Sequence, residues 1–123
     1  MQVLDKALLC LSIVKERKAI DPVLLEVEKL SSITDYFLIA SGNSIRQVQA
    51  ITRHLKKRLD EEDLKVYGSE GEQEGHWVLL DYNDVVIHIF YQPDRELYDL
   101  EGLWIEAPRI EPDEDGVSGL ISE

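Results

Sequence analysis

Two apolar segments on either side of the dipeptide Asn83-Asp84 constrain the fold of this chain more than any other feature. Residues 76–82 and 85–91 are rich in β-branched and aromatic side chains, which favour strands. A two-residue loop with an asparagine that tolerates positive φ is typical of a tight hairpin. The sequence therefore predicts an antiparallel β-hairpin, and with it a sheet against which the rest of the chain must pack.

The register of this hairpin assigns every side chain to one of two faces, because side chains alternate along a strand. One face is aliphatic and is predicted to pack under helices: Val78, Leu80, Tyr82, Val85, Ile87 and Ile89. The second face mixes aromatic and polar groups: Trp77, Leu79, Asp81, Val86, His88 and Phe90. With two long helices available, we expect this second face to stay uncovered and to bind a protein partner. The alternative is that residues 93–104 cover Trp77 and Phe90 as a second core.

Hydrophobic periodicity and breaker residues predict the other elements of the fold. They are helices over residues 2–17 and 45–62, strands at 23–27, 35–41 and 64–67, and a short helical segment over 93–104. The predicted fold class is therefore α/β (α+β), a single mixed five-stranded β-sheet with two main helices and a short C-terminal helical segment.

The charge of the chain is strongly negative and unevenly distributed. Its 123 residues carry 13 Lys+Arg and 25 Asp+Glu, a formal net charge of −12, which argues against direct DNA binding and favours a basic partner. Residues 45–58 hold five bases and no acid, which we interpret as a solvated face of the second helix. From Glu111 onward there are five acids and no base. We therefore predict a folded domain over residues 1–108 and an acidic disordered tail over 109–123.

Cysteine content and hydropathy point to a cytoplasmic protein. Cys10 is the only cysteine, which rules out an internal disulfide and suits a reducing compartment. The charge-free run at residues 7–14 is far shorter than the roughly 20 apolar residues of a membrane span. We expect no membrane contact and a bacterial cytoplasmic location, since no signal or transit peptide is visible. A processed organellar form is the alternative.

The sequence contains few of the residue patterns that catalysis or metal binding requires. His54, His76 and His88 lack the helical spacing of a zinc site, and no cysteine or second histidine lies near any of them in sequence. Asp81 and Asp84 straddle a turn and do not form the alternate-position carboxylate pair that holds a divalent metal on a strand. We expect no enzyme activity, no cofactor and no metal site.

Three blocks of the sequence resemble the ribosomal silencing factor family, RsfS, also called Iojap. They are residues 32–44 (SITDYFLIASGNS) with Gln47, Val48, Ala50 and Ile51; residues 77–82 (WVLLDY) with 84–90 (DVVIHIF); and Arg95 with residues 98–101 (YDLE), Leu103 and Trp104. The blocks cover roughly residues 3–106. The chain departs from the family at Asn83, where the family often has glycine, and in its acidic tail.

The resemblance implies a translation repressor without catalysis, on a fold similar to that of nucleotidyltransferases. Members of the family bind the large ribosomal subunit through ribosomal protein L-fourteen and block its association with the small subunit. Steric exclusion is then the whole mechanism. The alternatives are a nucleotidyltransferase-like enzyme and a generic protein-interaction domain. An exposed apolar face also predicts a homodimer of the free chain.

We expect the ribosomal protein to be bound by the second hairpin face and by the residues that follow it: Trp77, Asp81, Asp84, His88, Phe90, Tyr98 and Trp104. Trp77 and Tyr98 would be apolar anchors with a polar edge. Asp81 and Asp84 would meet Lys or Arg on the partner. Any of these side chains could instead be structural.

Overall fold

The computed structural model describes residues 2–112 and 118–121. Its helices and strands are α1 Val3–Glu16, β1 Ile20–Glu26, β2 Tyr36–Gly42, α2 Ile45–Glu61, β3 Gly68–Glu70, β4 Trp77–Asp81, β5 Val85–Tyr91, α3 Gln92–Tyr98, α4 Leu100–Leu103, β6 Arg109–Pro112 and β7 Ser118–Ile121. The strands form one sheet in the order β3-β4-β5-β2-β1-β6-β7. Only β2 and β5 are parallel neighbours. The predicted α/β class with a single mixed sheet is confirmed, with seven strands in place of five.

The hairpin forms in the predicted register. Leu80 pairs with Ile87 and Val78 with Ile89. Asn83 has a φ of 77°, which an asparagine tolerates at low cost. The aliphatic face of the hairpin is buried under α1 and α2, as predicted, and forms the main core of the domain.

Two strand boundaries differ from the prediction. Residues 64–67 are not a strand, and β3 lies at Gly68–Glu70, where the sequence predicted a loop. β3 is fully exposed, so its pairing depends on backbone hydrogen bonds to β4 and leaves no apolar pattern in the sequence. β1 begins at Ile20, earlier than predicted, and therefore contains Pro22. The strand tolerates this proline because the register shifts between Ile20 and Val23, and the proline lies at that irregularity.

The sheet also continues past residue 108, where the sequence predicted a domain boundary. Leu25 pairs with Arg109 and Leu24 with Ile110, so β6 covers the edge of β1 that β2 leaves free. Ile110 is only 6% exposed and joins the main core. The predicted disorder is therefore corrected for residues 109–112 and 118–121, because one buried isoleucine and a free strand edge outweigh the acidic composition. Residues 113–117 and 122–123 lie outside the described part.

The sheet is packed on both of its faces. Helices α1 and α2 lie on one face, and the second face carries a smaller core of Leu25, Val27, Ile39, Phe90 and Ala107, against which Leu100 and Trp104 pack. Residues 92–107 thus form a partial second layer, which we call the cover segment. Within the described residues, no helix is long and apolar enough to cross a membrane.

Arg95 fastens the cover segment to the sheet. Its side chain is buried, and its Nε and Nη2 donate to the Glu101 carboxylate at 3.0 and 3.2 Å. Nη1 donates to the Ile20 carbonyl at 3.0 Å and to Ser41 Oγ at 2.8 Å, and Nη2 donates to the Asp21 carbonyl at 2.8 Å. All five guanidinium N–H groups have an acceptor, which is the condition under which a buried charge is tolerated.

We predict that Arg95→Ala lowers the free energy of unfolding by about 3 kcal/mol, since it leaves a partly buried carboxylate and buried oxygens without their donors. Chemical denaturation followed by circular dichroism measures the loss. Arg53→Ala is the matched control: Arg53 is exposed and pairs with no acid in the described chain, so its removal changes stability by no more than about 0.5 kcal/mol. A loss below about 1 kcal/mol for Arg95→Ala would contradict the fastening role.

Candidate functional site

Aromatic side chains from several elements meet on the second face of the sheet. The Trp77 ring lies 4.8 Å from Phe90 and 5.1 Å from Tyr98, centroid to centroid. The Phe37 ring lies 5.2 Å from His88 and 5.1 Å from Trp104. We call these six residues the aromatic cluster: Phe37, Trp77, His88, Phe90, Tyr98 and Trp104. Five of them were singled out in the sequence, and Phe37 was not.

Strand alternation and the cover segment together build this cluster. Trp77 on β4 pairs with Phe90 on β5, so both side chains point to the same face. Phe37 reaches that face from β2, which is parallel to β5. Tyr98 ends α3 and Trp104 follows α4. The sequence could have indicated Phe37, because it is the aromatic residue of β2 that alternates away from the main core.

The face predicted to be uncovered is in fact partly sealed. Phe90 is 0% exposed and His88 is 5% exposed, beneath the cover segment. The expected contact of these two residues with a partner is therefore corrected, and the alternative of a second core holds for them. Phe37, Trp77 and Trp104 are half-buried, and Tyr98 is exposed. These four members of the cluster keep surface that a partner could contact.

His88 is held in its neutral form. Trp77 Nε1 donates to His88 Nδ1 at 3.1 Å, which assigns the acceptor role to that nitrogen. Nε2 is buried and has no hydrogen-bond partner among the described groups. Burial lowers the pKa of His88 to about 4, because the imidazolium would lose its hydration without gaining a carboxylate. The side chain therefore orients Trp77 and carries no charge at neutral pH.

Four of the seven large apolar side chains that are exposed in the described part of the chain lie on the cover segment. Leu97, Tyr98, Leu103 and Ile105 are 73, 55, 77 and 79% exposed, and we call them the apolar ridge. Sequence reasoning identified only Tyr98 among them. A signal was present, because residues 93–106 contain more large apolar side chains than a short segment can turn to one side. Exposed acids accompany the ridge residues in sequence: Glu96 and Glu106 flank them, and Asp99 lies among them.

The two carboxylates of the hairpin turn are engaged within the chain. Asp84 Oδ1 accepts from Lys6 Nζ at 2.8 Å, an ion pair that ties the turn to α1. Asp81 Oδ1 accepts from the Asn83 N–H at 2.8 Å and so holds the turn itself. Asp84 is thus directed towards the helices and away from the ridge, whereas Asp81 keeps some exposure on the second face.

The chemistry of the described side chains favours binding. In residues 2–112 and 118–121, no three His, Cys, Asp or Glu side chains are grouped so that they could hold a metal ion. The buried Cys10 thiol has its pKa raised to about 12 by loss of hydration, so it stays protonated at neutral pH. An apolar ridge beside an aromatic cluster, with exposed acids next to it, is instead typical of a protein-binding surface.

Comparisons with known proteins agree on one family. The family model described as "Ribosomal silencing factor during starvation" matches residues 1–120. The ribosomal silencing factor RsfS of Bacillus subtilis is 45% identical over 98 residues, 80% of this chain and 83% of that protein. A Mus musculus protein named "Mitochondrial assembly of ribosomal large subunit protein 1" is 33% identical over 100 residues, 76% of this chain and 42% of that protein. A crystal structure of a Chromobacterium violaceum protein has a TM-score of 0.82 and 35% identity, over 85% of this chain and 87% of that one.

The burial of His88 predicts a pH dependence of stability. The unfolded chain takes up this proton near the ordinary pKa of 6.5, whereas the native chain does so only near 4. The contribution is therefore complete above pH 7 and is lost as the pH falls from about 6.5 towards 4, by about 2 kcal/mol between pH 7 and pH 5. Urea denaturation at both pH values should show that His88→Gln removes most of this difference.

His76→Gln is the matched control, because His76 is exposed at the start of β4 and contacts Asp94. This variant should keep most of the wild-type pH dependence. If His88→Gln and the wild type lost equal stability on acidification, His88 would not be the buried neutral group described.

Proposed function

This chain belongs to the ribosomal silencing factor (RsfS) family, and from that membership we propose that it represses translation by binding the large ribosomal subunit and blocking association with the small one. The docking component is ribosomal protein L-fourteen. The mechanism is steric exclusion, in which one occupied protein surface removes the contact that the small subunit would make there. The site of action is the bacterial cytoplasm.

The apolar ridge is the observation that carries this proposal. Leu97, Tyr98 and Leu103 are each more than half exposed, on a segment anchored to the sheet through Arg95. A ridge held in one position loses little conformational entropy on binding, so more of its apolar burial appears as affinity. Tyr98 packs against Trp77 with tilted rings, 5.1 Å between centroids, and such packed aromatic pairs are common hot spots at protein interfaces.

The charge of the cover segment selects for a basic partner. Glu96, Asp99 and Glu106 are exposed beside the ridge, whereas Arg95 is buried and already has its acceptors. Ribosomal proteins are typically basic, so opposite charges would speed the encounter and orient the two surfaces. The half-buried Asp81 adds an acid on the same face.

The names of the relatives support the large subunit as the target. The Bacillus subtilis relative is named a ribosomal silencing factor, and the Mus musculus relative is named for assembly of the ribosomal large subunit. Both names describe action on ribosomes and neither names an enzyme. We extend this role to the present chain, which is 45% and 33% identical to them over the matched residues.

We also propose that the free chain forms a homodimer when no ribosome is present, in which each copy covers the apolar ridge of the other. A ridge of four large apolar side chains that stays in water is unfavourable, and a second copy supplies an equally apolar surface. Binding to the large subunit would then compete with this homodimer.

We predict that Tyr98→Asp weakens binding to purified large subunits by about 2 kcal/mol, roughly 30-fold, because a charge replaces an aromatic anchor. Co-sedimentation measures the affinity, and light scattering of mixed subunits measures their joining, which should recover. The same variant should be monomeric when free. Tyr67→Asp is the matched control, since Tyr67 is 73% exposed beside Lys6 and Leu64, away from the ridge.

If Tyr98→Asp folds normally and still blocks joining as the wild type does, the ridge is not the docking surface. If the wild type itself binds small subunits as well as large ones, the proposed function is wrong.

We further predict that magnesium with a nucleoside triphosphate leaves the melting temperature unchanged. A ligand that binds only the folded chain would raise it, and such a rise would favour the nucleotidyltransferase-like alternative. Differential scanning fluorimetry over a range of nucleotide concentrations makes the comparison, with magnesium alone as the control.

A further inference from the structure

Helix α2 carries a row of basic side chains in a chain whose net charge is −12. Arg46, Arg53 and Lys57 are exposed, and their spacing of seven and four residues places them within about 40° of one another around the helix axis. The row is about 16 Å long at the rise of an α-helix. The buried residues Val48 and Leu55 lie about half a turn away and face the sheet.

Arg17, at the end of α1, adds a fourth base to this row. Gln47 Nε2 donates to the carbonyls of Arg17 and Lys18 at 3.4 and 3.3 Å, which fixes the end of α1 against α2. Arg17, Arg53 and Lys57 line one surface depression of about 370 Å³, and Arg58 and the acid Glu61 also line it. We call Arg17, Arg46, Arg53 and Lys57 the basic stripe.

The positive charge of the basic stripe is not neutralised within the described chain. Its four members form no ion pair with any described residue. Their neighbours differ: Lys56 pairs with Glu72 at 2.9 Å, and Arg58 pairs with Glu16. The chain has 25 acids, but none lies between residues 45 and 58. The four unpaired bases therefore form a surface whose charge is opposite in sign to the net charge of the chain.

We propose that the basic stripe binds the phosphate backbone of RNA. Arginine and lysine in a row suit a line of phosphates, which guanidinium groups grip in a bidentate manner. Such contacts to phosphate need no recognition of the bases. RNA fits better than an acidic protein, because its phosphates lie along one line, as the bases of the stripe do. The net charge of −12 repels both kinds of partner alike at long range, so the local row of unpaired bases decides between them.

This inference rests on the proposed function for the identity of the RNA, which is that of the large subunit beside the docking protein. The stripe and the apolar ridge point away from opposite faces of the sheet, since α2 covers one face and the cover segment the other. Both surfaces can therefore be occupied at the same time. The stripe would add salt-dependent, sequence-independent affinity to a contact whose specificity comes from the ridge.

The test compares two double variants with the same change in net charge. One is Arg53→Glu with Lys57→Glu, and the control is Lys15→Glu with Lys29→Glu, two exposed lysines outside the stripe. Affinity for purified large subunits is measured between about 50 and 200 mM salt. In the first variant we expect at least about tenfold weaker binding at low salt, and a slope of log K against log salt that is shallower by about 2. The control should keep the wild-type slope.

A fluorescent 20-base-pair RNA duplex separates the two proposals. Suppose that the wild type fails to bind large subunits but binds the duplex at low salt, and that the first variant no longer binds the duplex. This result would support RNA binding by the stripe and would contradict the proposed function. If large subunits are bound with an unchanged salt slope by the first variant, the stripe proposal is wrong and the proposed function stands. A first variant that changes the oligomeric state of the free chain and not the salt slope would also overturn it, because the stripe would then contact a second copy.

Discussion

The buried guanidinium of Arg95 determines the surface that this domain presents. It accounts for the position of the cover segment, because its acceptors lie on β1, on β2 and within the segment itself. With the segment in place, Phe90 and His88 become interior residues and the apolar side chains left over form the ridge. The interior of the second face and the exposed surface above it are therefore two results of one interaction. A domain that lacked it would expose the aromatic cluster directly, as an open sheet face without a fixed ridge.

Net charge alone gives a misleading view of this molecule. The value of −12 predicts a basic partner, and the acids of the cover segment agree with that. Yet α2 presents exposed bases on one side of the molecule, and the acids of the cover segment lie on the other side of the sheet. Charge at a distance steers the whole chain, but within a Debye length of about 8–10 Å the local surface decides what is bound. A ribosome offers both basic protein and anionic RNA at its surface, so a chain with both signs on separate faces can match both.

The parts of the fold that were predicted from sequence depend on neighbours in the chain. Ser44 accepts from the Gln47 N–H at 3.0 Å and begins α2 where the Gly42-Asn43-Ser44 break predicted, and the hairpin register follows from the two residues of its turn. Phe90 could not be assigned in this way, because its burial depends on Arg95 reaching residues more than 50 positions away. The burial of Ile110 was not predicted for a related reason, since its acidic neighbours dominate the charge and hydropathy averaged over residues 109–123. Contacts distant in sequence leave no local pattern, and the candidate site was the part of the molecule that depended on them most.

The proposed action by exclusion requires a rigid shape, and the packed interior of the second face favours one. His88 stays neutral because burial would strip its imidazolium of hydration, and in the neutral state its Nδ1 can accept from Trp77. Trp77 in turn packs against Tyr98, a residue of the ridge. A protonated His88 could not accept that hydrogen bond, and Trp77 would lose the partner that orients it. The neutral state that burial imposes on His88 is thus what keeps Trp77 oriented, and through Trp77 it supports the exposed ring of Tyr98.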